Sequence, residues 1–327
     1  MGEFDLIERY FKRSTPPKSG VDLGIGDDCA LLAPAPGMQL AISSDMLVEG
    51  RHFLSTVNPE ALGHKALAVN LSDLAACGAK PVAFTLALAM PRIDEAWLAG
   101  FSRGLFALAD AQGCALIGGD TTAGPLNICI TVFGHTPQGQ ALLRSGARVG
   151  DDIYVSGWPG QARLALEAFR GTISLPEAAF AQMRTRMERP EPRVALGLAL
   201  RTIASSAVDV SDGLLGDLGH ILQRSGVAAD IELDAINTIA FRAHSMRGNG
   251  PFDLKFMQEM VLAGGDDYEL VFTAAPSTRT AIQALSTQLC LPLTRMGCTR
   301  AGSGITLIDE QGQPQAPAYA SFDHFKG

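Results

Sequence analysis

Apolar residues fall at helical spacing over positions 4, 6, 7, 10 and 11, which predicts a helix over 4–11. Segments 29–32 and 39–43 read as strands, and the Pro34–Gly37 turn between them predicts a hairpin. Asn58 and Pro59 form a helix start, so a helix runs from 59 to about 77 and stops at Gly78, with Pro81 beyond it. A buried strand follows over 82–90, then an amphipathic helix over 94–112 closed by Gly113, then strands over 114–118 and 126–135. Turn residues fill 136–150. Beyond them the pattern predicts a strand at 152–156, a helix after Pro159-Gly160, and two helical stretches punctuated by Pro190 and Pro192. Strands at 207–210, 228–233, 268–273 and 305–308 follow, with helices at 214–224 and 278–289. Strands and helices are mixed in both halves, so the expected class is α/β (α+β) in two domains, 1–138 and 149–327.

Composition narrows the function. The chain has 327 residues, 47% hydrophobic and 18% charged, enough apolar material for a folded core. Lys plus Arg is 26 against 34 Asp plus Glu, a net charge of −8, which argues against nucleic acid or a membrane surface as partner. No apolar run approaches the roughly 20 residues of a spanning helix. The start carries no basic, apolar leader pattern. The six cysteines form no Cys-x-x-Cys pair, and buried free thiols in a reducing cytoplasm are the expectation.

The chemistry lies in aspartates beside glycines and at strand ends: Gly24-Ile-Gly-Asp-Asp28, Ser43-Ser-Asp45, Asn70-Leu-Ser-Asp73, Gly118-Gly-Asp-Thr121, Asp209-Val-Ser-Asp-Gly213 and Gly264-Gly-Asp-Asp-Tyr-Glu269. Any one of these alone is most often just a turn or a helix cap. Six together are another matter, because converging carboxylates cannot all stay ionised without cations. Oxygen-only donors suit Mg²⁺, and no His/Cys set has zinc spacing. Carboxylate-held magnesium points to phosphoryl transfer, yet the P-loop and protein-kinase signatures are missing. Only six of the cations are lysines, so metals must neutralise much of the phosphate charge, with Arg144 a candidate helper.

In this order the motifs resemble those of thiamine-monophosphate kinase, within the superfamily of aminoimidazole-ribonucleotide synthetase. The similarity runs from Phe4 to the Phe322-Asp-His-Phe325 tail and includes Ser-Ser-Asp-Met-Leu-Val-Glu-Gly-Arg-His-Phe and Asp-Val-Ser-Asp-Gly-Leu. The resemblance implies ATP-dependent phosphorylation of thiamine monophosphate to thiamine diphosphate by a homodimer whose N-terminal sheets meet. It implies several Mg²⁺ ions on Asp27, Ser43, Ser44, Asp45, Asp73, Asp120, Asp209 and Asp212. Gly119, Asp120, Arg144 and Ser211 would contact ATP, and His52, Asp266 and Phe322 the thiamine substrate. Asp45, Asp73, Asp120 and Arg144 would carry catalysis, and a monovalent cation is a further candidate cofactor. Two positions depart from the family pattern. Asp266 stands where the family commonly has glutamate, one methylene longer. Phe322 is the terminal aromatic where the family often has Gly-Tyr or Gly-Trp, with Tyr319 nearby as the alternative contact.

The acceptor in this reading is an anionic phosphate oxygen, so no strong base is needed and direct transfer without a phosphoenzyme is expected. The alternatives are another ATP-dependent synthetase of the superfamily and a non-catalytic nucleotide-binding relative.

Overall fold

The structure, a computed structural model, describes residues 2–13, 20–243 and 253–317. Two compact units emerge: Met1–Leu74 with Ala79–Ala141 and Glu188–Val194, and Ala75–Gly78 with Leu142–Met187 and Ala195–Gly327.

The first unit contains α1 (Glu3–Tyr10), β1 (Val21–Leu23), β2 (Leu31–Leu32), β3 (Met38–Val48), α2 (from Pro59, ending at Ala76), β4 (Lys80–Met90), α3 (Glu95–Gln112), β5 (Ala115–Ala123) and β6 (Asn127–Pro137). Four strands form a sheet in the order β3-β6-β4-β5. β6 runs antiparallel to both neighbours, while α3 makes the crossover between the parallel strands β4 and β5. Asn58 Oδ1 accepts the Glu60 N–H at 2.9 Å and starts α2. Asp94 caps α3 through the Trp97 N–H, and Gly113 closes it at φ 63°. α2 is apolar nearly all round, with Leu62, Leu67, Leu71 and Leu74 fully buried, as a helix enclosed on every side must be. α2 and α3 meet backbone to backbone, because a Cβ on Gly104 would lie 1.8 Å from the Glu60 carbonyl oxygen.

Strand alternation gives this sheet two different faces. Ser43, Asp45 and Leu47 share a face with Ile130, Leu86 and Leu88, all three of them buried. Ile42, Ser44 and Met46 share the other face with Thr131, Cys129 and Ala87. That second face is open: Ile42 is 59% exposed and Met46 53%.

The second unit contains β7 (Asp152–Ser156), α4 (Gln161–Phe169), α5 (Glu177–Glu188), α6 (Val194–Leu200), β8 (Ala204–Asp209), α7 (Leu214–Ser225), β9 (Ala228–Glu232), α8 (Leu233–Ala243), α9 (Leu254–Ala263), β10 (Leu270–Ala274), α10 (Arg279–Gln288), β11 (Leu293–Arg300), β12 (Ile305–Ile308) and β13 (Pro314–Gln315). The sheet order is β13-β12-β9-β11-β7-β10-β8. Leu218, Ile221, Ile236, Ile239 and Val261 pack on Ile153, Val155, Val208, Ile231 and Val271 to form its main core.

The structure corrects four expectations. No hairpin joins 29–32 to 39–43: β2 pairs with β1, and β3 gives its full length to β6. Asp45 does not close its strand, which continues to Val48. Gly118–Thr121 lie inside β5 rather than after it. Strand β11 and helices α8 and α9 were not in the sequence reading. β11 hides because its arginines look like surface residues. Arg295 instead shares the buried Asp152 carboxylate with Arg279, at 2.7 and 2.6 Å, and reaches Glu232 at 2.7 Å. The Arg279 hydrogen bond, with Arg295 beside it, holds the Asp152 carboxyl below the ordinary range.

Candidate active site

In the first unit, β3 and α2 bring three of the expected residues together. Asp73 lies on α2, and its Oδ2 accepts the Ser43 hydroxyl at 2.5 Å. A hydroxyl that donates keeps its lone pairs for another partner. Asp45 is two residues from Ser43 on the same strand face, and its N–H donates to Asn70 Oδ1 at 3.0 Å. Asn70 is one helical turn before Asp73, so a single face of α2 serves both strand residues. Its own amide donates to the Ala66 carbonyl at 3.0 Å, which fixes the orientation of the side chain. In the sequence the signal for Asn70 is its three-residue spacing to Asp73, which puts both on one helix face.

Sheet alternation places the remaining acids elsewhere. Ser44 lies on the open face, bonded to the Ile130 carbonyl at 3.2 Å and near the Thr131 hydroxyl at 3.0 Å. Asp120 is in register with Ala87 and is therefore also on the open face, exposed, on the strand opposite β3. Three strand spacings of about 4.8 Å separate β3 from β5, roughly 14 Å. Asp120 thus does not join Asp45 and Asp73 as the sequence reading expected. Asp27 lies exposed between β1 and β2. Among the described residues, no three His, Cys, Asp or Glu side chains gather closely enough to hold a metal by themselves.

Gly119 has a packing reason of its own. Its φ is 144°, and a Cβ would lie 1.8 Å from the Leu86 carbonyl oxygen of β4. His52 sits in the turn after β3, where its Nδ1 accepts the Val48 N–H at 3.0 Å. In the neutral ring the proton is therefore on Nε2.

In the second unit, three chain turns are tied together. β8 ends on Asp209, and Ser211-Asp212-Gly213 lead into α7. The loop before β10 runs alongside: the Asp266 N–H donates to the Ser211 carbonyl at 2.7 Å, and the Tyr268 N–H to that of Val210 at 2.9 Å. Asp266 and Tyr268 take φ of 61° and 52°, a left-handed conformation that side chains rarely adopt. Asp267 accepts the Gly160 N–H at 2.9 Å, tying the loop to the start of α4. Burial, with Glu269 and Asp266 nearby, pushes the Asp267 carboxyl well above the ordinary range. Buried Glu269 takes the Ser156 hydroxyl at 2.5 Å. The sequence reading treated this motif as a single substrate-binding acid; its second and third acids are anchors. Asp217 was missed entirely, though an acid in the first turn of a helix is a legible signal.

Arg144 is exposed, and its carbonyl accepts the Ser225 hydroxyl at 3.2 Å, at the last residue of α7. Ser211 and Asp212 are at the other end of that 12-residue helix, about 1.5 Å per residue away along its axis. Phe322 and Tyr319 lie outside the described residues.

Fold and site together define an AIR synthase-type protein. The model of the AIR synthase related protein N-terminal domain matches residues 26–136. The whole chain is 45% identical to the thiamine-monophosphate kinase of Salmonella typhimurium over 327 residues, covering 99% of this chain and 98% of the relative. It matches the crystal structure of the Stenotrophomonas maltophilia thiamine-monophosphate kinase at 44% identity and a TM-score of 0.82, covering 91% and 93% of the two chains. AaThiL complexed with AMPPCP and TMP superposes at 27% identity and a TM-score of 0.74, covering 98% and 96%. The chain belongs to the thiamine-monophosphate kinase family.

Proposed function

We propose that this chain transfers the terminal phosphoryl group of ATP directly to thiamine monophosphate, giving thiamine diphosphate and ADP. The observation that carries the reading is the agreement along nearly the whole chain with kinases of that name. The complex of a relative with AMPPCP and TMP supports ATP as the donor.

The chemistry asks mainly for charge neutralisation and alignment. Two unit charges 4 Å apart repel by about 4 kcal/mol at an effective dielectric of 20, and both reactants carry several. The donor set fits magnesium, because every atom that Ser43, Asp45 and Asp73 offer is a hard oxygen. It is an open set rather than a closed cage, which suits an ion that keeps water and phosphate ligands. Ser43, Asp45 and Asp73 would hold such an ion on one face of the first unit's sheet, Ser44 and Asp120 would hold others from the opposite face, Asp27 from the loop between β1 and β2, and Asp209 and Asp212 would hold theirs in the second unit. When bound, magnesium supplies the positive charge that phosphoryl transfer needs. The protein's own part is orientation. Ser43 fixes the Asp73 carboxylate, Asn70 fixes the backbone at Asp45, and His52 offers an Nε2–H donor toward substrate. Ser211, Arg144, Gly119 and Asp120 are assigned to ATP, and Asp266 to thiamine.

The open sheet face suits a second copy of the chain. Ile42 and Met46 are large apolar groups presented to solvent, and a homodimer would cover them. Ile42→Asp should convert the dimer to monomer in light scattering; an unchanged mass would place the interface elsewhere. Cys114 is buried, whereas Cys29 and Cys290 are exposed rather than buried as the sequence predicts.

A coupled assay of ADP release tests the activity. ADP should form when thiamine monophosphate is supplied and not with thiamine or water as acceptor. Formation only with a different acceptor would support a sister synthetase, and no formation at all a binding protein.

A further inference from the structure

The turn that opens α7 looks like a ready-made anion site: a glycine, a helix N-terminus and three successive backbone N–H groups. The structure shows those donors already taken. Asp217 Oδ2 accepts the N–H of Ser211 at 3.0 Å, of Asp212 at 3.1 Å and of Gly213 at 3.2 Å. The Asp217 residue is only 4% exposed, so this is an internal brace rather than a surface contact. With the amides engaged, the side chains the turn presents are the Ser211 hydroxyl and the Asp212 carboxylate.

The brace has little room to shift. Gly213 sits at φ 125°, and a Cβ there would meet the Ala263 backbone at 3.1 Å. Gly265 also packs against the turn, where a Cβ would lie 2.7 Å from the Ser211 carbonyl oxygen. That same carbonyl accepts the Asp266 N–H. A turn that lost its internal acceptor would have three orphaned donors in this confined space.

We propose that Asp217 is a positioning residue for phosphoryl transfer, consuming the three amides of the 211–213 turn so that it presents Ser211 and Asp212 to a magnesium nucleotide rather than gripping phosphate with its backbone. This rests on the assignment of Ser211 and Asp212 made above. The role differs from theirs, since Asp217 acts through the backbone of its neighbours and touches no reactant.

The test uses the full chain and four variants: Asp217→Ala, Asp217→Asn, Asp212→Asn and Ser211→Ala. Binding of magnesium with a non-hydrolysable ATP analogue is measured by calorimetry, KM for ATP and kcat by ADP release, and backbone amide exchange by mass spectrometry or NMR. Asp217→Ala should weaken analogue binding and raise KM for ATP by about tenfold, with kcat changing less, and should speed exchange at 211–213. Asp217→Asn keeps an acceptor oxygen and should stay within about threefold of the native affinity. A variant Asp217→Ala that melts earlier yet binds the analogue normally would overturn the proposal, leaving Asp217 a stability residue. If Asp212→Asn and Ser211→Ala bind the analogue like the native protein, the assignment of the turn itself fails, whatever Asp217→Ala does. Should Asp217→Ala not fold, two results decide. Unprotected amides at 211–213 in the native protein, or a tenfold loss of binding in Asp217→Asn, would contradict the brace; protected amides and rescued binding would support it.

Discussion

Asp73→Asn should lower kcat by about a thousandfold or more at saturating magnesium, which corresponds to about 4 kcal/mol of lost transition-state stabilisation. Asn has the shape of Asp and can still accept the Ser43 hydroxyl through its oxygen, so the contact at 2.5 Å survives in kind. What disappears is the negative charge, and with it the capacity to hold a cation between two polyanions. Folding should be nearly unaffected, because Asp73 is half-buried and Asn preserves its shape and its acceptor oxygen. Steady-state rates and a thermal melt on the same preparation check both halves of the claim. Asp45→Asn should behave likewise, since its backbone N–H to Asn70 does not depend on the side chain. Near-normal turnover in either variant would remove the metal role from the β3–α2 cluster.

Gly119→Ala should fail by a different route. The added Cβ would lie 1.8 Å from the Leu86 carbonyl oxygen and 2.5 Å from its carbon, both backbone atoms of the central strand β4. β4 is held in register on both sides, to β5 and to β6, so it cannot withdraw alone. The φ of 144° adds strain for any side chain. The expected cost exceeds about 4 kcal/mol, in the range reserved for forced backbone displacement. For a chain of this size that is a melting-temperature drop of about 10 °C or outright insolubility. The outcome separates two accounts of the same glycine. If Gly119→Ala melts normally and loses only nucleotide affinity, the residue serves ATP and not the sheet.

These two residues also mark what a sequence can disclose. The first-unit elements were legible where periodicity and caps agree: α2 from Asn58-Pro59, α3 from Asp94 to Gly113, β4 from its apolar run. Strand pairing was not, because β2 and β3 carry no signal that says which neighbour each will take; the Pro34–Gly37 turn invited a hairpin that the β3–β6 ladder displaced. The acids were legible as a set from their glycines and spacing, but not by face. Ser43 and Ser44 are adjacent in sequence and point to opposite sides of the sheet, and a strand expected to end at 118 conceals that Asp120 shares the face of Ser44. The anchors were harder still. Asp217, Asp267 and Glu269 carry no assigned role in the sequence, and only their hydrogen bonds to Ser211–Gly213, Gly160 and Ser156 show that they hold the loops. Arg295 had the opposite disguise, a surface-like residue in a strand that in fact serves a buried acid.

A crystal structure of the chain with magnesium, a non-hydrolysable ATP analogue and thiamine monophosphate tests the central claim most directly. Cations should be bound to the oxygens of Ser43, Asp45 and Asp73 and in contact with the phosphate groups. Phosphates and cations bound in full occupancy at some other surface, with those three side chains still bonded only to protein, would contradict it.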